Sequence, residues 1–225
     1  MRSDPAPVTV AESTYRRIRT DIIFGRLAPD EKLKLDTLKD RYGTSVSTLR
    51  EILNRLTSEG LVVAEGQRGF QVASVSPENL KEISALRHLL ESTALELSFA
   101  AGGIDWEGSV LAAHHKLQLT EHRMMAGDRS VTEQWKRYDW EFHQALIAAC
   151  GSRVLLDTHA SVFDKYLRYQ MISLTFRGQI AADEHREMAA AALAHDAPTA
   201  QAVLKRHIEG GVEHSLAGKV FKAKR

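Results

Sequence analysis

The sequence predicts a mainly α chain in two parts: three short helices with a β-hairpin, then an all-α helical bundle. Apolar residues recur at helical spacing over most of the chain. Only two short runs, VVAE and FQVA, read as strands, and they flank Gly66-Gln67-Arg68-Gly69. The chemistry also changes at Val75-Ser76-Pro77. Residues 1–75 carry 12 Lys/Arg against 10 Asp/Glu, residues 76–225 carry 18 against 19, and all ten histidines lie at or beyond His88. The expected division is therefore 1–75 and 76–225.

Composition sets the outer limits. Of 225 residues, 44% are apolar and 26% charged, which is enough for a real core. Thirty Lys/Arg against 29 Asp/Glu excludes a histone-like binder or an acidic tail. No apolar run approaches the roughly 18 residues of a membrane helix. MRSDPAPVTV lacks the apolar stretch of a secretory signal, so a cytoplasmic location without membrane is expected. Cys150 is the single cysteine, which excludes an internal disulfide and a thiolate zinc cluster. Metal binding through His and Asp stays open.

The first helix is expected over 8–24, with Val10, Tyr15, Ile18 and Ile22 on one face and Gly25 and Pro29 ending it. A second runs from about Leu35 to Tyr42, with Leu35 and Leu38 inward and Gly43 as its stop. The third starts at Ser45, turns Leu49, Ile52, Leu53 and Leu56 inward and stops at Gly60. With the hairpin behind them, these form a winged helix-turn-helix.

Ser45, Ser47 and Thr48 open the third helix, and Arg50 follows one turn in. Hydroxyls there can cap the helix or donate to phosphate oxygens, and such an arginine reaches a guanine edge or the backbone. Gln67, Arg68 and Gly69 form the hairpin tip, which would enter or straddle a minor groove. Taken singly, these read as an N-cap and a solvated arginine. Helix order, glycine stops and hairpin in register favour double-stranded DNA.

Residues 10–73 resemble the DNA-binding domain of the GntR family of bacterial transcription regulators. The stretch Ser45-Val46-Ser47-Thr48-Leu49-Arg50-Glu51-Ile52-Leu53, then Leu56 and Glu59-Gly60-Leu61-Val62, follows the signature S-R-T-P-V-R-E-A-L…L…E-G-L-V. Val46 replaces an arginine that often touches the operator, and Asp36 lies where some members carry another. The resemblance implies DNA binding but no particular operator sequence.

From Pro77 the pattern is helical nearly to the end. The first helix carries a stripe of Leu80, Ile83, Leu86, Leu90, Ala94 and Leu97, closed by Gly102-Gly103. Further helices are expected at about 106–126, 131–149, 152–175, 179–195 and 198–216, which make a bundle. Asp139 and His143 fall one turn apart on an apolar stripe with Phe142, Leu146 and Ala149. His185 shares a face with Ala181, Met188, Ala189 and Ala192, and His207 with Ala200, Val203 and Leu204. Burying such groups unpaired costs several kcal/mol, so they satisfy one another or hold a cation. Imidazole and carboxylate suit a divalent ion such as zinc, nickel or manganese. His159 and His115 also sit on apolar stripes, and spacing alone does not choose among them.

Residues 80–215 resemble the FCD ligand-binding domain that follows the winged helix in FadR-type GntR regulators. Its metal-binding members carry Asp-x-x-x-His on one helix, matched by Asp139-Trp140-Glu141-Phe142-His143. Glu184-His185 and Arg206-His207 match the later pattern. The resemblance implies Asp139, His143, His185 and His207 as ligands of a divalent metal, zinc first. His159 and His115 then stay core residues, and His88, His114, His122, His195 and His214 surface or ordinary packing positions.

Such domains commonly use the metal to help hold a small carboxylate effector. Arg87, in an L-R-x-x-L-E stretch, and Arg168, within Tyr166-Leu167-Arg168-Tyr169, are candidates to bind it. Arg87 also has Glu91 at i+4, an ordinary helix ion pair. Pro29-Asp30-Glu31-Lys32-Leu33 and Ala148-Ala149-Cys150-Gly151-Ser152 are similar to a carbon-starvation-induced family member that represses genes for glutarate and 4-aminobutyrate use. That similarity implies a dicarboxylate such as glutarate.

The expected function is a homodimeric, effector-released repressor on a palindromic operator. The alternative is a metal-dependent hydrolase or lyase using the same Asp/His site. It needs a general base, and Glu141 lies about 200° round the helix from Asp139. A helical adaptor without effector would leave the inward polar cluster unexplained.

Overall fold

The computed structural model describes residues 9–66, 69–173 and 176–218. The chain divides into two compact units, Met1–Val75 and Ser76–Arg225.

In the first unit, α1 (Val10–Ile23) begins where the Thr9 side chain accepts the Glu12 N–H at 3.1 Å. It buries Tyr15, Ile18, Ile22 and Ile23, whereas Val10 is 70% exposed. Val10 thus lies off the expected stripe, because the first turn projects beyond the core. α2 (Leu35–Tyr42) ends at Gly43, whose φ of 66° is a left-handed turn that glycine adopts without steric cost. Leu38 is buried on it and Leu35 half-buried. α3 (Val46–Ser58) buries Leu49, Ile52, Leu53 and Leu56, each worth about 1.5–3 kcal/mol of transfer free energy.

Three short strands complete this unit: β1 (Lys32–Leu33), β2 (Val62–Ala64) and β3 (Phe70–Val72). They form an antiparallel sheet in the order β1-β3-β2, with Leu33 opposite Phe70 and Val63 opposite Gln71. β1 was not expected, since two residues cannot display alternation. Gln67 and Arg68 lie outside the described residues. Gly69 enters β3 with φ 98°.

The described residues of the second unit form helices joined by short loops, without a strand: α4 (Pro77–Ala101), α5 (Ile104–Met125), α6 (Thr132–Ile147), α7 (Arg153–Ser173), α8 (Gln179–Leu193) and α9 (Ala197–Ala217). α4 starts with the Ser76 side chain accepting the Asn79 N–H and with Pro77, whose missing N–H costs nothing there. α9 repeats the device with Asp196 and Pro198. The apolar core joins Leu95, Phe99 and Trp106 to Val110, Leu117, Phe142, Leu146, Met188 and Leu204.

Two expectations fail here. The inward face of α4 is Leu80, Ser84, Arg87, Glu91, Ala94, Leu95 and Ser98, while Leu86 and Leu97 are each 44% exposed. The face is set by the buried Arg87–Glu91 pair, whose further partners come from α6 and α7. His115 is also exposed, together with Leu111 and Leu119, so it is not a core residue.

Candidate metal centre

Helical spacing aligns Asp139 and His143 on α6, α8 supplies His185, and α9 supplies His207. One ligand atom from each of the four lies within 4.8 Å of all the others, and all four residues are buried. Asp139 Oδ1 is 3.2 Å from His185 Nε2 and 4.0 Å from His143 Nε2.

A carboxylate stands behind each imidazole. His143 Nδ1 contacts Glu91 of α4. His185 Nδ1 is 2.6 Å from Glu121 of α5, and His207 Nδ1 is 2.8 Å from Glu184 of α8. A carboxylate only accepts, so each Nδ1–H donates and Nε2 is the ring nitrogen turned to the centre; an Arg87 nitrogen also lies 3.3 Å from His143 Nε2. His185 Nε2 is buried without a hydrogen-bond partner. An orphaned nitrogen beside an aspartate and two further imidazoles is what a cation would satisfy. The space there, lined by Lys136, Asp139, Arg177, His185, His207 and Gly211 among others, measures about 20 Å³. One oxygen and three nitrogen donors around a small polar void fit a divalent ion.

The electrostatics agree. Burial works against the Asp139 carboxylate, yet Lys136, His185 and His143 hold it well below the usual range. Burial, with Arg87 adding to it, lowers His143 despite Glu91. Burial likewise drops His207 far down despite Glu184, leaving a neutral ligand. Burial also opposes a charged His185, but Asp139 and Glu121 outweigh it and push the ring up to about 9. In the ion-free protein His185 therefore carries the proton that an ion would replace.

His159 belongs to the same network without being a ligand. Its Nε2 is 3.0 Å from Glu91 and its Nδ1 2.8 Å from Gln144. Arg87 donates to Glu91 at 2.9 Å, lies 4.3 Å over Phe163 and 4.6 Å over Tyr166, and brings a nitrogen 3.2 Å from His143 Nδ1. Arg168 is buried on α7 and lines neither the ion cavity nor its neighbour. Glu141 faces away and pairs with Lys116 at 3.3 Å.

Sequence reasoning missed two cations at the centre. Lys136 is buried and donates to Asp139 Oδ2 at 3.3 Å and Gln170 Oε1 at 2.6 Å. Arg177 pairs with Glu184 and donates to the His207 carbonyl at 3.2 Å. Lys136, at i−3 from Asp139, had a signal in its spacing. Glu121, 64 residues from His185, had none.

At the start of α3, Ser45 Oγ lies 2.8 Å from Ser47 Oγ and 2.9 Å from Thr48 Oγ1, and it caps the Thr48 N–H at 3.2 Å. The hydroxyls thus cluster at a helix N-terminus, where backbone N–H groups and the helix dipole favour anions. Arg50 is exposed, and no carboxylate among the described residues pairs with it.

Residues 10–72 match the bacterial regulatory proteins of the gntR family, and residues 82–210 match the FCD domain. The chain is 33% identical over 218 residues to the HTH-type transcriptional regulator BphR of Paraburkholderia xenovorans, covering 93% of this chain and 89% of that one. It is 35% identical over 201 residues to the HTH-type transcriptional repressor GlaR of Escherichia coli, covering 86% and 90%. The solved structure of E. coli McbR/YncC shares the fold, with a TM-score of 0.79 at 19% identity over 94% of this chain and 99% of that one. Family matches across both units and similarity to regulators along nearly the whole chain give one conclusion: this protein belongs to the FCD-bearing gntR family of DNA-binding transcriptional regulators and is not an enzyme.

Proposed function

We propose that this regulator is a homodimeric repressor released from a palindromic operator when a small carboxylate binds a zinc-containing pocket. The observation that carries the metal reading is the convergence of Asp139, His143, His185 and His207, each imidazole backed by a glutamate. Repression is supported by the name of the E. coli relative GlaR. Ser45, Ser47, Thr48 and Arg50 would contact one half-site of the operator, with Gln67, Arg68 and Gly69 at the wing. A two-fold dimer requires two such half-sites.

A bound ion supplies a positive anchor for a carboxylate oxygen. The histidines hold it through Nε2, Glu91, Glu121 and Glu184 fix their rings, and the apolar core keeps bulk water out. Of the two expected effector-binding arginines, Arg87 would act from beside His143, and Arg168, buried on α7, lines neither cavity. Effector and operator must then weaken each other reciprocally, typically by about 1–3 kcal/mol.

A thermal-shift series with chelator, zinc, and zinc plus glutarate tests this reading. Zinc should raise Tm above the chelated protein, and glutarate should raise it further only in loaded protein. No shift with zinc would overturn the metal centre. A zinc shift with none from glutarate or other small acids would overturn the effector.

A further inference from the structure

We propose that Lys136 is the specificity-determining group of the effector site, and that it selects a small carboxylate whose hydrocarbon tail fills the cavity beside the ion. The inference rests on the effector reading above and adds the residue that recognises the acid.

Trp135, Lys136 and Gln170 line both the ion cavity and a second cavity of about 290 Å³. Met124, Met171 and Phe176, with Arg129 and Thr132, complete the wall of that larger space. Lys136 thus stands in the partition between a polar void for an ion and a largely apolar void for a small molecule. The larger volume lies at the lower end of the range for ligand pockets.

An ammonium has three donors. Asp139 Oδ2 and Gln170 Oε1 take two, which leaves the ammonium only the Trp135 ring, 4.0 Å away at its centroid, as a further partner, and a ligand oxygen would be a stronger acceptor for the third N–H. Asp139 also shows the geometry that such a ligand would copy. Its Oδ1 faces the imidazoles and its Oδ2 faces Lys136. A ligand carboxylate would divide its two oxygens in the same way, one to the ion and one to Lys136.

Charge balance requires an anion there. Four buried carboxylates, Glu91, Glu121, Asp139 and Glu184, surround the centre together with three cations, Arg87, Lys136 and Arg177. With the imidazoles neutral as ion ligands that set sums to one negative charge, and a divalent ion makes it one positive charge. An unbalanced buried charge is costly, and one carboxylate cancels it.

The test uses zinc-loaded full-length protein titrated calorimetrically with acetate, butanoate and glutarate. Two variants are compared, and bound zinc is measured by elemental analysis. Lys136→Met keeps the unbranched stem, one atom shorter, and removes its charge. It should retain zinc yet bind every acid about tenfold or more weakly, the loss expected for one hydrogen bond from a charged donor. Met171→Trp narrows the larger cavity and leaves Lys136 alone. It should keep acetate and lose butanoate and glutarate, and the difference between the last two acids reads the tail's end. Undiminished acid affinity in Lys136→Met would overturn the proposal. Loss of zinc in Lys136→Met would also overturn it, by making Lys136 a positioning residue for Asp139. Butanoate binding unchanged by Met171→Trp would refute the tail cavity. If the unaltered loaded protein binds none of the acids, the effector reading itself fails, which separates that failure from an error about Lys136.

Discussion

Glu121 on α5 accepts the Nδ1–H of His185 on α8 at 2.6 Å, and both side chains are buried. The bond fixes the ring so that Nε2 meets Asp139 and the other two imidazoles. Removing such an outer partner typically costs about 10–100-fold in metal affinity. Glu121→Ala should therefore bind zinc about 10–100-fold more weakly in competition with a chromophoric chelator. Unchanged affinity would deny Glu121 any part in the centre.

The same imidazole sets a pH dependence. Its folded value of about 9 lies above the ordinary 6.5. Its stabilising contribution to the ion-free protein is thus fully present below pH 6.5 and is lost as pH rises through about 9. Ligation needs Nε2 without its proton. Zinc binding between those limits should release a proton and tighten as pH rises. Calorimetry at pH 7.5 in buffers of different ionisation enthalpy reads that proton, and identical heats would contradict the assignment.

His185→Ala removes one donor outright. Bound metal in that variant should fall well below one ion per chain by elemental analysis. Full occupancy would mean that the ligand set is wrong.

Arg50→Ala should abolish operator binding and leave zinc and acid binding intact, because the arginine is exposed on α3 and takes no part in the core. Electrophoretic mobility shift reads the first outcome and thermal shift the second. Equal DNA affinity in the variant would refute the recognition-helix assignment.

Gly211 permits close packing under the ion cavity. A Cβ there would collide with the Tyr166 hydroxyl and meet Gln170 Nε2 at 3.4 Å. Gly211→Ala should destabilise the protein by about 1–3 kcal/mol, the usual cost of overpacking. Urea unfolding measures it, and an unchanged midpoint would show that Tyr166 moves aside freely.

Local rules were legible where they act over a few residues. The glycine stop at Gly43, the Ser45 cap and the Asp139–His143 spacing are all contained within one or two turns. α4 misled because apolar side chains occur on several of its faces. Its true inward face includes Arg87 and Glu91, which are buried because Phe163, Tyr166, His143 and His159 receive them. Those partners lie dozens of residues away, so no window of sequence contains them. The glutamates behind the imidazoles were hidden for the same reason, and β1 was too short to signal.

Glu91 accepts from donors on three helices: Arg87 on its own α4, His143 on α6 and His159 on α7. It sits 14 positions beyond Pro77, so about 21 Å of continuous helix separates it from the point where the chain leaves the bundle. The residue that grips the His143 ring and the first turn of α4 therefore belong to one unbroken helix.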